Sequence, residues 1–241
     1  GTLSDSKITD YGNGWYRCEI IGQLGSTPNT CQVTLATQSI GNSAPINQVT
    51  YDGDGNGNVY LWGAMLEQGS YSTSYIPTQG GVVTRLADNA YQQGVTQVIG
   101  QSEGTIYIDF IPKSKDDFQI LYQIRTTGNS NVGQIDIRLQ SGNIRAFGYD
   151  GGSSQFNING TYFDVGTRYK CAIRYKQNDV AFYINGVLIG TDSSASFSSS
   201  SKNQVSFGEN LTSLLPIANI IDAKLYNNSL TNSELQALTT I

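Results

Sequence analysis

The chain has 241 residues, room for one large or two small domains, and carries 14 Lys and Arg against 19 Asp and Glu, a net charge of -5 with no histidine. Charged residues make up only 14%, and 27 glycines point to many turns and a polar but weakly charged surface. This balance argues against a nucleic-acid footprint, which needs clustered Lys and Arg, and no apolar run approaches the ~20 residues of a membrane-spanning helix.

In chain order, strands are predicted over residues 14–21, 31–37 and 59–65, separated by Gly, Pro, Asn and Ser clusters. The last of these alternates Val59, Leu61 and Gly63 with Tyr60, Trp62 and Ala64, the period of two of a strand with two different faces. Tyr75-Ile76-Pro77-Thr78 follows, and proline there supplies no ladder donor. Trp15 and Trp62 are expected in the core of this first module. Between the second and third strands, Asp52, Asp54, Asn56 and Asn58 alternate with glycine. A tight loop before a strand prefers such residues, and that is the favoured reading. The alternative is a structural calcium ion wrapped by the four oxygen side chains, although Gly63 stands where an EF-hand would need its bidentate glutamate. Gly80, Gly81 and the polar residues through Asn89 read as a linker.

The second half predicts a strand over 105–110 closed by Pro112, then another over 116–125 with Ile120, Tyr122 and Ile124 in phase. Gln134-Ile135-Asp136-Ile137-Arg138-Leu139 is the cleanest alternation, with Ile135, Ile137 and Leu139 on the apolar face. A turn at Ser141-Gly142-Asn143 leads into a strand over 144–149, and further strands are expected over 168–175 and 180–184. Asn185-Gly186, flanked by Phe182, Ile184, Leu188 and Ile189, is a strong hairpin signal because both residues tolerate positive φ. The serine run 193–201 reads as a mobile loop, and a strand follows over 204–208. Thr231 and Glu234 form a capping box for a short helix whose apolar stripe is Leu235 and Leu238, expected to cover one end of a sandwich.

Cys18, Cys31 and Cys171 are an odd number, so at least one is unpaired within the chain. Cys18 is in phase with Tyr16 and Ile20, and Cys171 with Tyr169 and Ile173, so both read as small buried core residues. A bridge from Cys18 to Cys31 is the alternative. With no histidine and no Cys-x-x-Cys, a standard zinc site is not on offer.

Two sets of motifs carry a family resemblance. Gly14-Trp15-Tyr16-Arg17-Cys18 and the stretch from Val59 through Leu61-Trp62-Gly63-Ala64-Met65-Leu66-Glu67 to Tyr75-Ile76-Pro77-Thr78 resemble lectin-like β-sandwich modules of bacteriophage tail proteins. Tyr183-Ile184-Asn185-Gly186-Val187-Leu188-Ile189-Gly190 and the ending from Ala218 to Leu235 resemble concanavalin A-like, laminin-G-like jelly rolls. The implied fold is all-β: residues 1–78 a carbohydrate-binding-like β-sandwich module, 79–90 a linker, and 91–241 a jelly roll. Three strands are too few for a sandwich and Gly1 is not Met, so the first module reads as incomplete at its N-terminus and the chain as a fragment or processed piece. The resemblance further implies a tail-fibre or tailspike receptor-binding role in the virion, outside the cell, and a homotrimer, although no heptad repeat specifies one.

Catalysis finds little support. No histidine is present to serve a Ser or Cys nucleophile, and the Glu-x-Asp-x-x-Glu strand of laminarinase-like jelly rolls is missing. Asp109 and Asp136 lie on different predicted strands and would have to be brought together by the fold. Binding without catalysis is the expectation, with a bacterial surface glycan as ligand and no nucleic acid or membrane insertion. A sugar site combines aromatic rings with planar polar groups, and strand parity nominates Asp136, Arg138, Arg145, Tyr149, Arg174 and Tyr183, if they share the solvent side of one sheet. Solvated cross-strand pairs are the plainer reading of the same residues. A structural spacer or trimerisation domain and, less favoured, a depolymerase are the alternative functions.

Overall fold

The computed structural model describes residues 2–23, 59–69, 72–78, 80–84, 90–115, 118–128, 132–197, 201–208 and 217–241. The predicted strand over 31–37, Cys31 and the Asp52 to Asn58 loop lie outside these residues. The chain forms two compact units, Gly1–Arg85 and Leu86–Ile241.

The first unit is built on an antiparallel hairpin of β1 (Thr2–Gly12) and β2 (Trp15–Gln23), in which Ile8 pairs with Cys18 and Ser6 with Ile20. Asn13 and Gly14 make the turn with φ of 52° and 79°. Strand β1 was not expected: Leu3, Ile8 and Tyr11 are too sparse for alternation, and pairing with β2 supplies what the side chains do not. Residues 59–65, expected as a strand, make no ladder. Gly63 sits at φ 70°, outside the β region, and breaks the extension. Here Trp62 packs on Tyr75, ring centroids 4.7 Å apart, while Glu67 accepts hydrogen bonds from the backbone N–H and hydroxyl of Thr73. Arg17 of β2 donates to the Thr73 carbonyl at 2.5 Å. Trp15 and Trp62 are 49% and 74% exposed, so neither is the core residue that its apolar size suggested. Cys18 is likewise an exposed free thiol, because its strand has no second sheet packed over it among the described residues.

The second unit is a sandwich of two antiparallel sheets. One has five strands in the order β11 (Val187–Asp192), β10 (Val180–Ile184), β9 (Tyr169–Lys176), β4 (Glu103–Pro112) and β13 (Ala218–Tyr226). The other has six, in the order β3 (Ala90–Gln93), β12 (Gln204–Phe207), β5 (Phe118–Arg125), β6 (Gln134–Gln140), β7 (Asn143–Asp150) and β8 (Ser153–Tyr162). Alternate residues of both turn inward, Ile106, Ile108, Phe110, Ile173 and Phe182 from the first and Ile124, Ile135, Ile137, Leu139 and Ile144 from the second, all fully buried in one cluster. Asn185 and Gly186 take φ of 49° and 78°, and Ser141 and Gly142 take 51° and 76°, the left-handed pairs of tight hairpins that join β10 to β11 and β6 to β7.

Strand β8 was not anticipated, since only Phe156 and Ile158 turn inward from an otherwise polar edge, Ile158 reaching toward Gly190 of β11. The serine run is less free than its composition suggests in its described part. Ala195 and Phe197 are buried, Phe197 edge-on to Phe156 and Tyr175, and the Asp192 carboxylate accepts from the backbone of Ser194 and Ala195.

Helix α1 (Asn232–Thr239) begins with the predicted capping box between Thr231 and Glu234. It lies on the outer face of the five-stranded sheet rather than over an end of the sandwich. Leu235 is buried there with Tyr107, Ala172, Ala181 and Tyr183, and Leu230 and Leu238 pack around them. Cys171 is fully buried between the sheets, as its parity implied, and burial pushes its thiol well above the ordinary value.

Candidate functional site

The two outer faces of the sandwich differ in kind. The five-stranded sheet is closed by α1, whereas the six-stranded sheet turns a polar and aromatic row outward. Register builds this row. On β6 the residues that alternate with Ile135, Ile137 and Leu139 are Gln134, Asp136 and Arg138, and across the ladder Gln134 faces Tyr149, Asp136 faces Phe147 and Arg138 faces Arg145. One strand further, Phe147 pairs with Asn157 and Arg145 with Asn159 on β8. On the other side, Gln123 of β5 stands opposite Asp136.

Within the row, Asp136 is fully buried and accepts from Arg138 Nε at 2.6 Å, from the same guanidinium's Nη2, and from Gln134 Nε2 at 2.6 Å. The Arg138 guanidinium also lies over two rings, its central carbon 3.9 Å from the Phe147 centroid and 5.1 Å from that of Phe118. Phe147 continues to Tyr149, with ring centroids 6.3 Å apart and planes 27° apart. The Tyr149 hydroxyl donates to the Gly152 carbonyl at 2.8 Å, which fixes the phenol over the following turn. Ion pair, rings and tyrosine thus hold one another in place, and the half-buried faces of Phe147 and Tyr149 sit beside the exposed amides of Asn157 and Asn159.

The same face is short of hydrogen-bond partners. Among the described residues, Gln123 Oε1, Gln204 Nε2 and Arg145 Nε are each buried and without a partner, although Gln123 Nε2 donates to the Gly208 carbonyl at 2.5 Å. A buried polar atom without a partner costs about 1–3 kcal/mol, so these positions are held at a cost to stability.

Four of the six nominated residues, Asp136, Arg138, Arg145 and Tyr149, therefore share this face. Arg174 and Tyr183 do not, because the chain leaves the six-stranded sheet after β8 and β9 and β10 belong to the other sheet. Tyr183 is only 5% exposed beneath Leu235. Arg174 donates to the Leu230 carbonyl, to Asn232 Oδ1 at 2.8 Å and to Asp179 at 2.6 Å, fastening the loop that leads into α1. Parity along a strand assigns a face but not a sheet, and that is why these two were grouped with the rest. Phe118, Gln123, Gln134, Phe147, Asn157 and Asn159 were not nominated. Phe147 shares strand parity with Arg145 and Tyr149, so its place was readable, whereas the two asparagines depended on the unforeseen β8.

Asp109 and Asp136 stand on the outward sides of different sheets, each already held by an arginine. Asp109 is buried and takes both Arg168 Nε at 2.9 Å and Nη2 at 2.6 Å. The fold does not pair them around a common substrate. Among the described residues no three His, Cys, Asp or Glu side chains gather as a metal site, and Asp52, Asp54, Asn56 and Asn58 lie outside them. No described helix is long and apolar enough to cross a membrane.

No family of known sequences matches the chain, and no curated protein does. Solved structures do. The carbohydrate-binding module CBM40 of the Ruminococcus gnavus IT-sialidase, bound to α2,3-sialyllactose, superposes with a TM-score of 0.53 at 18% identity, covering 64% of this chain and 95% of that one. The leech intramolecular trans-sialidase gives 0.51 at 15% identity over 65% of this chain, but only 28% of its own length is matched. A SAP-like pentraxin from Limulus polyphemus gives 0.51 at 14% identity, covering 64% and 76%. Identities this low speak for the fold. The fold is a jelly-roll β-sandwich of the concanavalin A-like kind, as the closing motifs implied.

Proposed function

We propose that this chain is a non-catalytic glycan-binding part of a phage tail fibre or receptor-binding protein, recognising a sugar polymer on the bacterial surface through the outer face of the six-stranded sheet. The observation that carries the reading is the built row on that face, where Arg138 is clamped by Asp136 between Phe118 and Phe147 and leads to Tyr149. Flat rings beside planar amides and a fixed guanidinium suit the apolar faces and hydroxyls of pyranose rings. The likeness to a carbohydrate-binding module solved with α2,3- and α2,6-sialyllactose adds support for glycan binding. The phage role and the homotrimer rest on the sequence motifs, and a trimer would raise a weak single site through effective concentration.

A spacer or assembly role is the second reading, favoured by the first unit, where Leu3, Ile8, Tyr11, Tyr16 and Ile20 of the hairpin are all more than half exposed. A glycan array read beside light scattering separates the two. Saturable sugar binding that is lost in Phe147→Ala supports the first. Self-association without sugar binding supports the second.

A further inference from the structure

We infer that the ligand of this face is an acidic saccharide, and that Arg145 receives its carboxylate. The inference rests on the glycan-binding reading and adds the charge of the sugar to it.

The argument starts from two arginines set directly opposite each other, Arg138 on β6 and Arg145 on β7. Like charges in facing positions of a ladder destabilise it unless something answers them. Arg138 is answered: Asp136 takes two of its nitrogens and the rings of Phe147 and Phe118 flank its plane. Asp136 is already engaged by that guanidinium and by Gln134, and no hydrogen bond joins it to Arg145 among the described residues. Arg145 is not answered. Among the described residues no ion pair joins it to a carboxylate, and its Nε is buried without a partner.

Arg145 nevertheless stays partly exposed, and that exposed part is what a ligand would meet. Its neighbours along and across the ladder are Phe147, a ring for a sugar face, and Asn159, an exposed amide for its hydroxyls. A guanidinium presents two parallel N–H donors that match the two in-plane oxygens of a carboxylate, and a charged bond of this kind is about twice as strong as a neutral one. The occupant is therefore a uronate or another sugar with a carboxylate on the ring or its substituent, and Arg145 selects it against the neutral counterpart.

The test is an array of matched oligosaccharide pairs that differ only in the carboxylate, including polymers before and after carboxyl reduction, with sulfated and phosphorylated sugars alongside. The expected result is binding to the acidic member at least about tenfold tighter than to its neutral partner, weakened as salt rises from 50 to about 500 mM. That preference should disappear in Arg145→Gln and persist in part in Arg145→Lys, with the thermal midpoint of each variant measured in parallel. The salt titration of the unaltered protein needs no variant and stands if Arg145→Gln misfolds. Equal binding of acidic and neutral members, or of sulfated sugars in place of carboxylated ones, overturns the inference and leaves the glycan reading intact. Binding to no member of any pair overturns the reading beneath it as well.

Discussion

Asp136 and Arg138, two residues apart on β6, meet side by side on the outer face of the six-stranded sheet, with Arg138 Nε 2.6 Å from Asp136 Oδ1 and both residues under 9% exposed. The pair is the fixed point of the row: Gln134 donates to Asp136, Phe118 and Phe147 flank Arg138, and Tyr149 packs beside Phe147. Buried ion pairs of this kind add little net stability when complete, yet breaking one leaves an uncompensated charge. Asp136→Asn is therefore expected to destabilise the second unit by about 3–5 kcal/mol, read as a lower urea midpoint, whereas replacing both residues with apolar ones should be much milder. Similar losses in the single and double variants would show that the pair is not energetically coupled.

Phe147 and Tyr149 are only half buried, so truncating them should separate binding from folding. Phe147→Ala is expected to lower sugar affinity at least about tenfold, through the lost ring and the loosened Arg138, while the thermal midpoint moves by only a few degrees. Tyr183→Phe, under α1 on the opposite sheet, should leave sugar binding unchanged. Calorimetric titration of the two variants side by side distinguishes the faces, and a binding defect in Tyr183→Phe would contradict the assignment.

Leu235 is the knob that seats α1 on Tyr107, Ala172, Ala181 and Tyr183. Leu235→Ala should cost about 2–5 kcal/mol, and Thr231→Ala, which removes the N-cap, about 1 kcal/mol. Hydrogen exchange should report faster exchange confined to residues 230–240 in the Thr231 variant. Uniform acceleration across both sheets would mean that the helix and the sandwich unfold as one.

Burial raises the phenols of Tyr107 and Tyr122 to about 12, with Asp109 and Asp222 adding to the shift at Tyr107. In the unfolded chain these phenols ionise near 10, so above that pH the unfolded state sheds protons that the folded state retains. Stability is therefore complete below pH 10 and falls between about 10 and 12. Urea midpoints across that range, followed with tyrosinate absorbance, should show the loss, and Tyr122→Phe should flatten it.

The cysteines offer a chemical check on burial. Cys18 should react quickly with an aqueous thiol reagent, while Cys171 should be labelled only after denaturation, because it is fully buried and burial disfavours its thiolate. Peptide mapping of the labelled sites reads this directly.

By itself the amino-acid pattern determined an all-β chain with its hairpins and its one capped helix, and the jelly roll was implied by the resemblance of the closing motifs. Alternation such as Ile135, Ile137 and Leu139 needs only the period of two, Asn185-Gly186 needs only residues that accept positive φ, and Thr231 with Glu234 needs only local hydrogen bonds. Each is decided within a few residues, so each was legible. Parity likewise placed Asp136, Arg138, Arg145 and Tyr149 on outward faces.

What no local pattern holds is which strand lies beside which, and therefore which outward face a residue joins. Arg174 and Tyr183 have the right parity and the wrong sheet, since β9 pairs with β4 and β10 pairs with β9, neither of them with the strands of the six-stranded sheet. The edge strand β8 carries too few apolar residues to announce itself, yet its register sets Asn157 and Asn159 beside Phe147 and Arg145. Sheet order, long-range register and the seat of α1 are settled by burial of the whole core at once, and the tertiary structure alone supplied them.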